Sequence, residues 1–518
     1  MRMKATRTLL YFLFLMLTTP TLWAQTDDAP VRVEFGANAE VFQVVSCGDA
    51  GVLMFYESVK QIENQGKAWI FIFYDTQLNP VWSKEIPVYN DFGFAKSYVN
   101  DGHIYLTWLK NSKPRRDEYN LQLVNIELTS GTYNSQGIFV PEKAELINFE
   151  VHDNTLMAGF NYPKEEALLL IRDLTTGNDQ AILFNENPSF IKNLIYNPHN
   201  GQVLVAVNIY TSRKNSAIYL NNYNFQGERR ASLQLTPAQS SVKLMNAQIH
   251  IAAADELYVL GSFNHLNGNL ARSDEDRLGE PSEGFYIAKI KNQDQQFLKL
   301  HKLIDFKNIT TILNNEELRD IKNLVNKEKK KGKSQSLNYQ FLMHDLQYHD
   351  GNFVMLAEAY YPEYHQVTTM SYDFYGRPMP YYYTVFDGYR YFNAFAAGFD
   401  QEGNIQWSNG IKIWDMRSMQ LMRRVESSSD GQQMVIFYND NGRIVSKIIE
   451  GYQDIGEVER TRLATKNLGD VQLEASNGMT THWYDNYYLA WGYQTLRNSE
   501  VAGGSKRSVF YINKLIFN

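Results

Sequence analysis

Three observations predict an all-β fold assembled from about eight copies of one four-stranded unit. A short turn followed at once by an apolar strand recurs eight times along the chain. A strand, a polar turn and a further strand follow each copy. Aromatic side chains are abundant, with 34 Tyr, 29 Phe and 8 Trp, and they suit a pleated, half-buried surface.

The first phrase reads GDAGVLMFY (48–56), NDGHIYLTW (100–108), HDNTLMAGF (152–160), HNGQVLVAV (199–207), ADELYVLGS (254–262), HDGNFVMLAEA (349–359), SDGQQMVIFY (429–438) and YDNYYLAWG (484–492). Asp, Asn and Gly accept turn geometry, and the residues after them are β-branched, aromatic or long aliphatic. Each copy therefore predicts a hairpin turn and its second strand. The second phrase runs through 69–86, 121–140, 168–184, 218–235, 285–303, 393–413 and 443–463, and ends in FYINKLIFN (510–518), which lacks a fourth strand. Asp49, Asp101 and Asp153 stand 52 residues apart. Four-stranded repeats of roughly 40–50 residues are the mark of propeller blades, which bury both faces of each small sheet by packing radially. The alternating segment VRVEF (31–35) precedes the first full unit and is free to supply the strand that the last unit lacks. The expectation is a β-propeller of about eight blades, seven being the near alternative, closed by its two terminal strands.

The strand endings NPVWSKEI and GNIQWSNGIKI resemble blades of quinoprotein or WD40-like propellers. The resemblance covers nearly the whole chain after the first 24 residues. It implies fold, and it transfers no catalytic residue.

The first 24 residues carry the pattern of an export signal. Arg2, Lys4 and Arg7 precede the apolar run Leu9 to Leu17, and Ala24 is a cleavage point before Gln25. The run is too short for a membrane anchor, which needs about 20 apolar residues. No later stretch of the sequence is long and apolar enough for a membrane helix. Residues 25–518 then form a single domain, expected in the periplasm or cell envelope. The single cysteine, Cys47, excludes an intrachain disulfide and reads as a small buried apolar side chain. Removing the three basic residues of the signal takes the formal charge from −7 to −10, which argues against nucleic-acid binding.

Three segments break the repeat, and propellers place function on their loops. Residues 264–284 are polar and hold Asp274, Glu275, Asp276, Glu280 and Glu283, but the spacing matches no EF-hand loop, so a surface loop is the plainer reading. Residues 308–338 contain a predicted helix over 314–331, with Leu318, Ile321, Leu324 and Val325 on one face and the basic tail KEKKKGK (327–333). That tail would suit an acidic surface, or simply the negative end of the helix dipole. Residues 360–392 hold ten tyrosines. Tyrosine offers a flat apolar face and a hydroxyl at modest entropic cost, the currency of recognition loops. The candidate binding residues are Tyr361, Tyr364, Tyr372, Tyr375, Arg377, Tyr381, Tyr382, Tyr383, Tyr389 and Arg390. The competing expectation is a long hairpin whose tyrosines pack on neighbouring blades.

Other chemistry leaves little trace. No Cys/His cluster has zinc spacing, and no nucleophile elbow, P-loop or dinucleotide fingerprint occurs. The nearest metal-like group is HDLQYHD (344–350), where His344 and His349 would face opposite sides of a strand and His349 belongs to the repeated turn. No metal and no cofactor are expected. The expected role is a non-enzymatic binding or scaffold protein of the envelope that recognises a protein or a glycan. The alternative is a carbohydrate-active hydrolase or lyase with acidic residues at the propeller mouth.

Overall fold

A computed structural model of the chain describes residues 31–517, apart from 38–40, 63–65, 115–117, 164–165, 186, 212–215, 266–281, 307–339, 350, 373, 430–432, 452 and 501–505. The export signal, the helix over 314–331 and most of the first two insertions lie outside the described residues.

The strands form eight antiparallel sheets. Blade 1 runs 43–46, 52–62, 66–74 and 80–88 from the inner to the outer strand; blade 2 runs 92–100, 103–110, 121–127 and 133–138. Blade 3 runs 145–152, 155–162, 166–173 and 179–184, and blade 4 runs 189–197, 202–210, 216–223 and 229–234. Blade 7 comprises 425–429, 434–439, 443–450 and 453–462. Blades 5 and 6 differ, because their inner strands are split: 242–244 with 248–253, and 340–343 with 347–349. Blade 5 continues through 256–265, 284–291 and 294–302, and blade 6 through 352–372, 378–399 and 405–418. Blade 8 takes 471–484, 487–497 and 506–516 from the end of the chain, and its fourth strand is Arg32–Gly36.

The chain is thus an eight-bladed β-propeller, closed as the truncated last repeat predicts. Eight hydrophobic clusters, one between each pair of neighbouring blades, complete the ring. The closing interface packs Phe42, Val52 and Met54 of blade 1 against Leu489, Phe510 and Ile512 of blade 8. Arg32 pins the N-terminal strand. Its buried guanidinium donates to Asn513 (2.8 Å), Gln494 (2.7 Å) and the Ala464 carbonyl (3.1 Å), pairs with Glu34 (2.8 Å), and lies 4.5 Å from the centre of the Tyr511 ring.

The recurring Asp/Asn/Gly phrase is the turn between first and second strands. Asp101, Asp153, Asn154 and Asp485 adopt φ values of 48°, 45°, 60° and 45° there, the left-handed region these side chains tolerate. In an antiparallel blade, successive connections alternate between the two ends. These turns therefore share one face of the ring. The hairpins between second and third strands, and the connections between blades, share the other. The strand ends at His265 and Gly284 of blade 5, and the long hairpin of blade 6, lie at that second face.

Candidate functional site

The third insertion is a β-hairpin arm. Second strands run 8 to 11 residues in blades 1 to 5, whereas the second and third strands of blade 6 run 21 and 22. Unbroken alternation of extended, β-favouring residues lets both strands continue past the blade, and their pairing holds to Tyr372↔Pro378 at the tip. The overhang is roughly 40 Å long at the usual rise per residue. Among the described residues, 361–372 and 378–388 pair only with each other, so both ribbon edges are open.

The hairpin places the predicted residues along one ribbon, but on both of its faces. Thr369↔Tyr381 and Val367↔Tyr383 share one face; Thr368↔Tyr382 and Tyr364↔Phe386 share the other. Tyr381 and Tyr382 are 59% and 62% exposed and Tyr375, at the tip, is 79% exposed. Tyr361, Tyr364 and Tyr383 are exposed as well. Arg377 stands 5.8 Å from the Tyr375 ring. The backbone of Tyr372 closes the ribbon, and its side chain lies outside the described residues. Among the described residues only the root packs on the ring: Tyr360 and Tyr391 are buried, Tyr389 lies 5.6 Å from the Tyr360 ring, and Arg390 faces Glu363 at 3.4 Å. The expectation of tyrosines packed on neighbouring blades therefore holds at the root and fails along the arm.

The root borders a funnel of about 1190 Å³ at the mouth of the ring. Phe94 and Ser97 of blade 2 line it opposite Asp387 and Arg417 of blade 6, with Glu474 of blade 8 between. Charged side chains stand on or beside the inner strands. Burial holds the Lys96 ammonium below its usual range, with Glu145 opposing and Arg423 reinforcing the shift. Burial raises the Glu145 carboxyl, against the pull of Lys96 and Lys192. Burial, joined by Glu358, pushes Glu426 up to about 8. Arg423 makes a two-pronged pair with Asp345 (2.7 and 2.9 Å).

His344 and His349 do not converge on a metal. The inner strand breaks at 344–346, and His344 Nε2 faces the buried Glu358 Oε1 at 2.7 Å. That same oxygen accepts the backbone N–H groups of Arg424 (2.8 Å) and Val425 (3.1 Å), so the histidine belongs to the joint between blades 6 and 7. The side chain of His349 lies outside the described residues. No group of three or more metal-ligating residues occurs among the described residues.

Sequence reasoning missed the charges of the inner strands. A signal for them exists: a single Lys or Glu interrupts several inner strands, as in FGFAKSYVN, SFIKNLIYN and VESSS. It becomes readable only when the repeats are aligned strand by strand.

No family model matches this chain, and no curated protein does either. Among solved structures, the polysaccharide lyase Uly1 is similar at 8% identity, covering 93% of this chain and 100% of that one, with a TM-score of 0.38. The WD40 domain of SCAP from fission yeast is similar at 10% identity, covering 94% and 97%, with a TM-score of 0.41. The β-propeller domain of the Trilobed protease from Pyrococcus furiosus is similar at 8% identity, covering 81% and 98%, with a TM-score of 0.33. The fold rests on the strand pairings above, and nothing about ligand or activity follows from these likenesses.

Proposed function

We infer that this propeller is an exported, non-enzymatic binding or scaffold protein of the cell envelope, and that the arm of blade 6 is its recognition element for a protein or glycan partner. The observation that carries this reading is the arm itself. A two-stranded ribbon standing alone is marginal in water. This one exposes tyrosines on both faces and leaves both backbone edges open. A partner that stacked on the rings or added a strand to an edge would cover what the ring leaves bare. The open edges favour a protein over a glycan, because only a polypeptide can extend the ladder. The propeller supplies a rigid base, and the ion pairs of Glu363 with Arg390 (3.4 Å) and Arg417 (3.1 Å) brace the arm's root.

The test is cross-linking and capture of the tagged protein from intact cells, beside a variant with 364–386 replaced by a short turn. A specific envelope partner present with the parent and absent with the folded variant supports the reading. An identical set of partners from both sinks the arm's role.

A second reading, a carbohydrate-active hydrolase or lyase, draws on the raised carboxylates Glu145 and Glu426 of the inner strands of blades 3 and 7. Its test is the release of reducing sugar or unsaturated ends from a polysaccharide panel, compared between the parent and the Glu145→Gln and Glu426→Gln variants.

A further inference from the structure

A second, smaller cavity lies on the insertion face where blades 4, 5 and 6 meet. It measures about 230 Å³, below the usual range for drug-sized ligands, so its occupant is small. Its floor is the break in the inner strand of blade 5. Gly261 permits that break: a Cβ at this position would stand 1.9 Å from the Asn246 carbonyl oxygen, which also accepts the Tyr286 hydroxyl at 2.6 Å.

The telling group is Asn208. Elsewhere in the ring, a polar side chain near this end of the second strand bonds the inner-strand backbone of the next blade. Asn161 of blade 3 holds Ile191 of blade 4 through both its amide atoms, at 3.0 and 2.8 Å. Glu358 of blade 6 holds Arg424 and Val425. Asn439 of blade 7 holds the Met479 carbonyl of blade 8. Asn208 occupies the place of Asn161, seventh residue of its strand, one blade on. It is 1% exposed and lines the cavity, yet among the described residues neither its amide nitrogen nor its oxygen has a partner. The inner strand it should bond is the one that breaks at 245–247. A buried amide left without any bond costs about 1–3 kcal/mol, so it calls for a ligand that both donates and accepts.

The remaining lining defines that ligand. Lys192 and Lys243 bring two cations to the cavity, and Lys243 is 3% exposed. Glu145 of blade 3 offsets Lys192 in part. Phe190, Tyr210, Phe341 and Tyr360 supply flat apolar walls. Cations, a two-way amide and aromatic walls in the space of one ring suit a carboxylate joined to a hydroxylated, carbon-faced body. We propose that this cavity binds a small sugar acid, its carboxylate on Lys192 and Lys243 and a hydroxyl on the Asn208 amide. The site is built without the arm beyond Tyr360, so it stands or falls apart from the arm's role.

The test is calorimetry and thermal melting of the purified protein with D-galacturonate, with D-galactose as its uncharged counterpart and with inorganic phosphate as a bare anion. Galacturonate is expected to bind and raise the melting temperature, with the other two at least tenfold weaker. Asn208→Leu removes both orphaned atoms, so it is expected to keep or raise the melting temperature without ligand while weakening galacturonate at least tenfold. Lys192→Met is expected to weaken it similarly and covers the case in which Asn208→Leu does not fold. Phosphate or galactose binding as well as galacturonate would overturn the proposal. So would no binding of any probe, or unchanged affinity in the variants. A folded Asn208→Leu protein less stable than its parent would also overturn it, since water would then already satisfy the amide.

Discussion

Blades 1 to 4 and blades 5 to 6 solve the same packing problem with different margins. In blades 2, 3 and 4 the inner strand carries a bulge of one residue, between Phe94 and Lys96, Leu146 and Asn148, and Ile191 and Asn193. The extra twist of a bulge helps a flat strand follow the curve of the ring. In blades 5 and 6 the excess is still one residue, but three residues, 245–247 and 344–346, stand unpaired against two on the next strand, and the strand splits. The same two blades carry all three insertions and the small cavity. Blade 3 bonds its Asn161 to the inner strand of blade 4, whereas Asn208 of blade 4 meets the split strand of blade 5 and finds no such partner among the described residues. The elaborated pair carries the aromatic arm and, with blade 4, the small cavity. The difference teaches that a repeat ring can hold its stability in its regular arc and its recognition surfaces where the repeat is relaxed.

The largest test of that contrast is at the closure. Arg32→Ala would leave Glu34 to Arg507 alone, strip a donor from Asn513, Gln494 and the Ala464 carbonyl, and loosen the seam between blades 8 and 1, costing about 3 kcal/mol, read as a large fall in urea midpoint. A shift indistinguishable from zero would mean that the seam contributes little to the ring. Gly261→Ala comes next. Its Cβ would collide with backbone in the split strand of blade 5, costing about 1–3 kcal/mol and disturbing the cavity. An unchanged melting temperature would show that the break is not held by that close approach.

A pH series probes the joint between blades 6 and 7. Glu426 holds its proton up to about pH 8 in the fold, against an ordinary value of 4.5. Its contribution to stability is therefore complete below about 4.5 and is lost as the pH rises through about 8. Glu426→Gln mimics the neutral form, so its melting temperature should gain on the parent's between pH 5 and pH 9. A constant difference across that range would place the carboxyl in water. The smallest effect belongs to the arm. Replacing 364–386 by a short turn removes mostly exposed side chains and should leave the ring's melting temperature within a degree or two of the parent's. A large fall would mean that the arm packs on the ring after all.

Much of this was legible along the chain. The turn phrases around Asp101, Asp153 and Asp485 mark local geometry that Asp, Asn and Gly adopt wherever they stand, so they located the blades. The missing fourth strand after Phe510 announced the closure, and VRVEF supplied it one residue out of step, at Arg32–Gly36. The tyrosine run announced an unusual insertion, but alternation alone could not say whether Tyr381 and Tyr382 would be covered, because that depends on what stands beside the ribbon. The partner of His344 was not legible, since Glu358 lies 14 residues on and meets it only across a broken strand.

The sequence by itself determined the repeat and the manner of closure, because turn propensity and strand alternation are local properties, and the strand pairings decided for eight blades over seven. Only the tertiary structure decided that the arm stands clear of the ring, and that Lys192, Asn208 and Lys243 meet in one cavity. Those facts depend on blade packing around a ring, where residues separated by a whole repeat become neighbours. They also depend on one glycine, whose missing side chain lets a strand break where its counterparts only bulge.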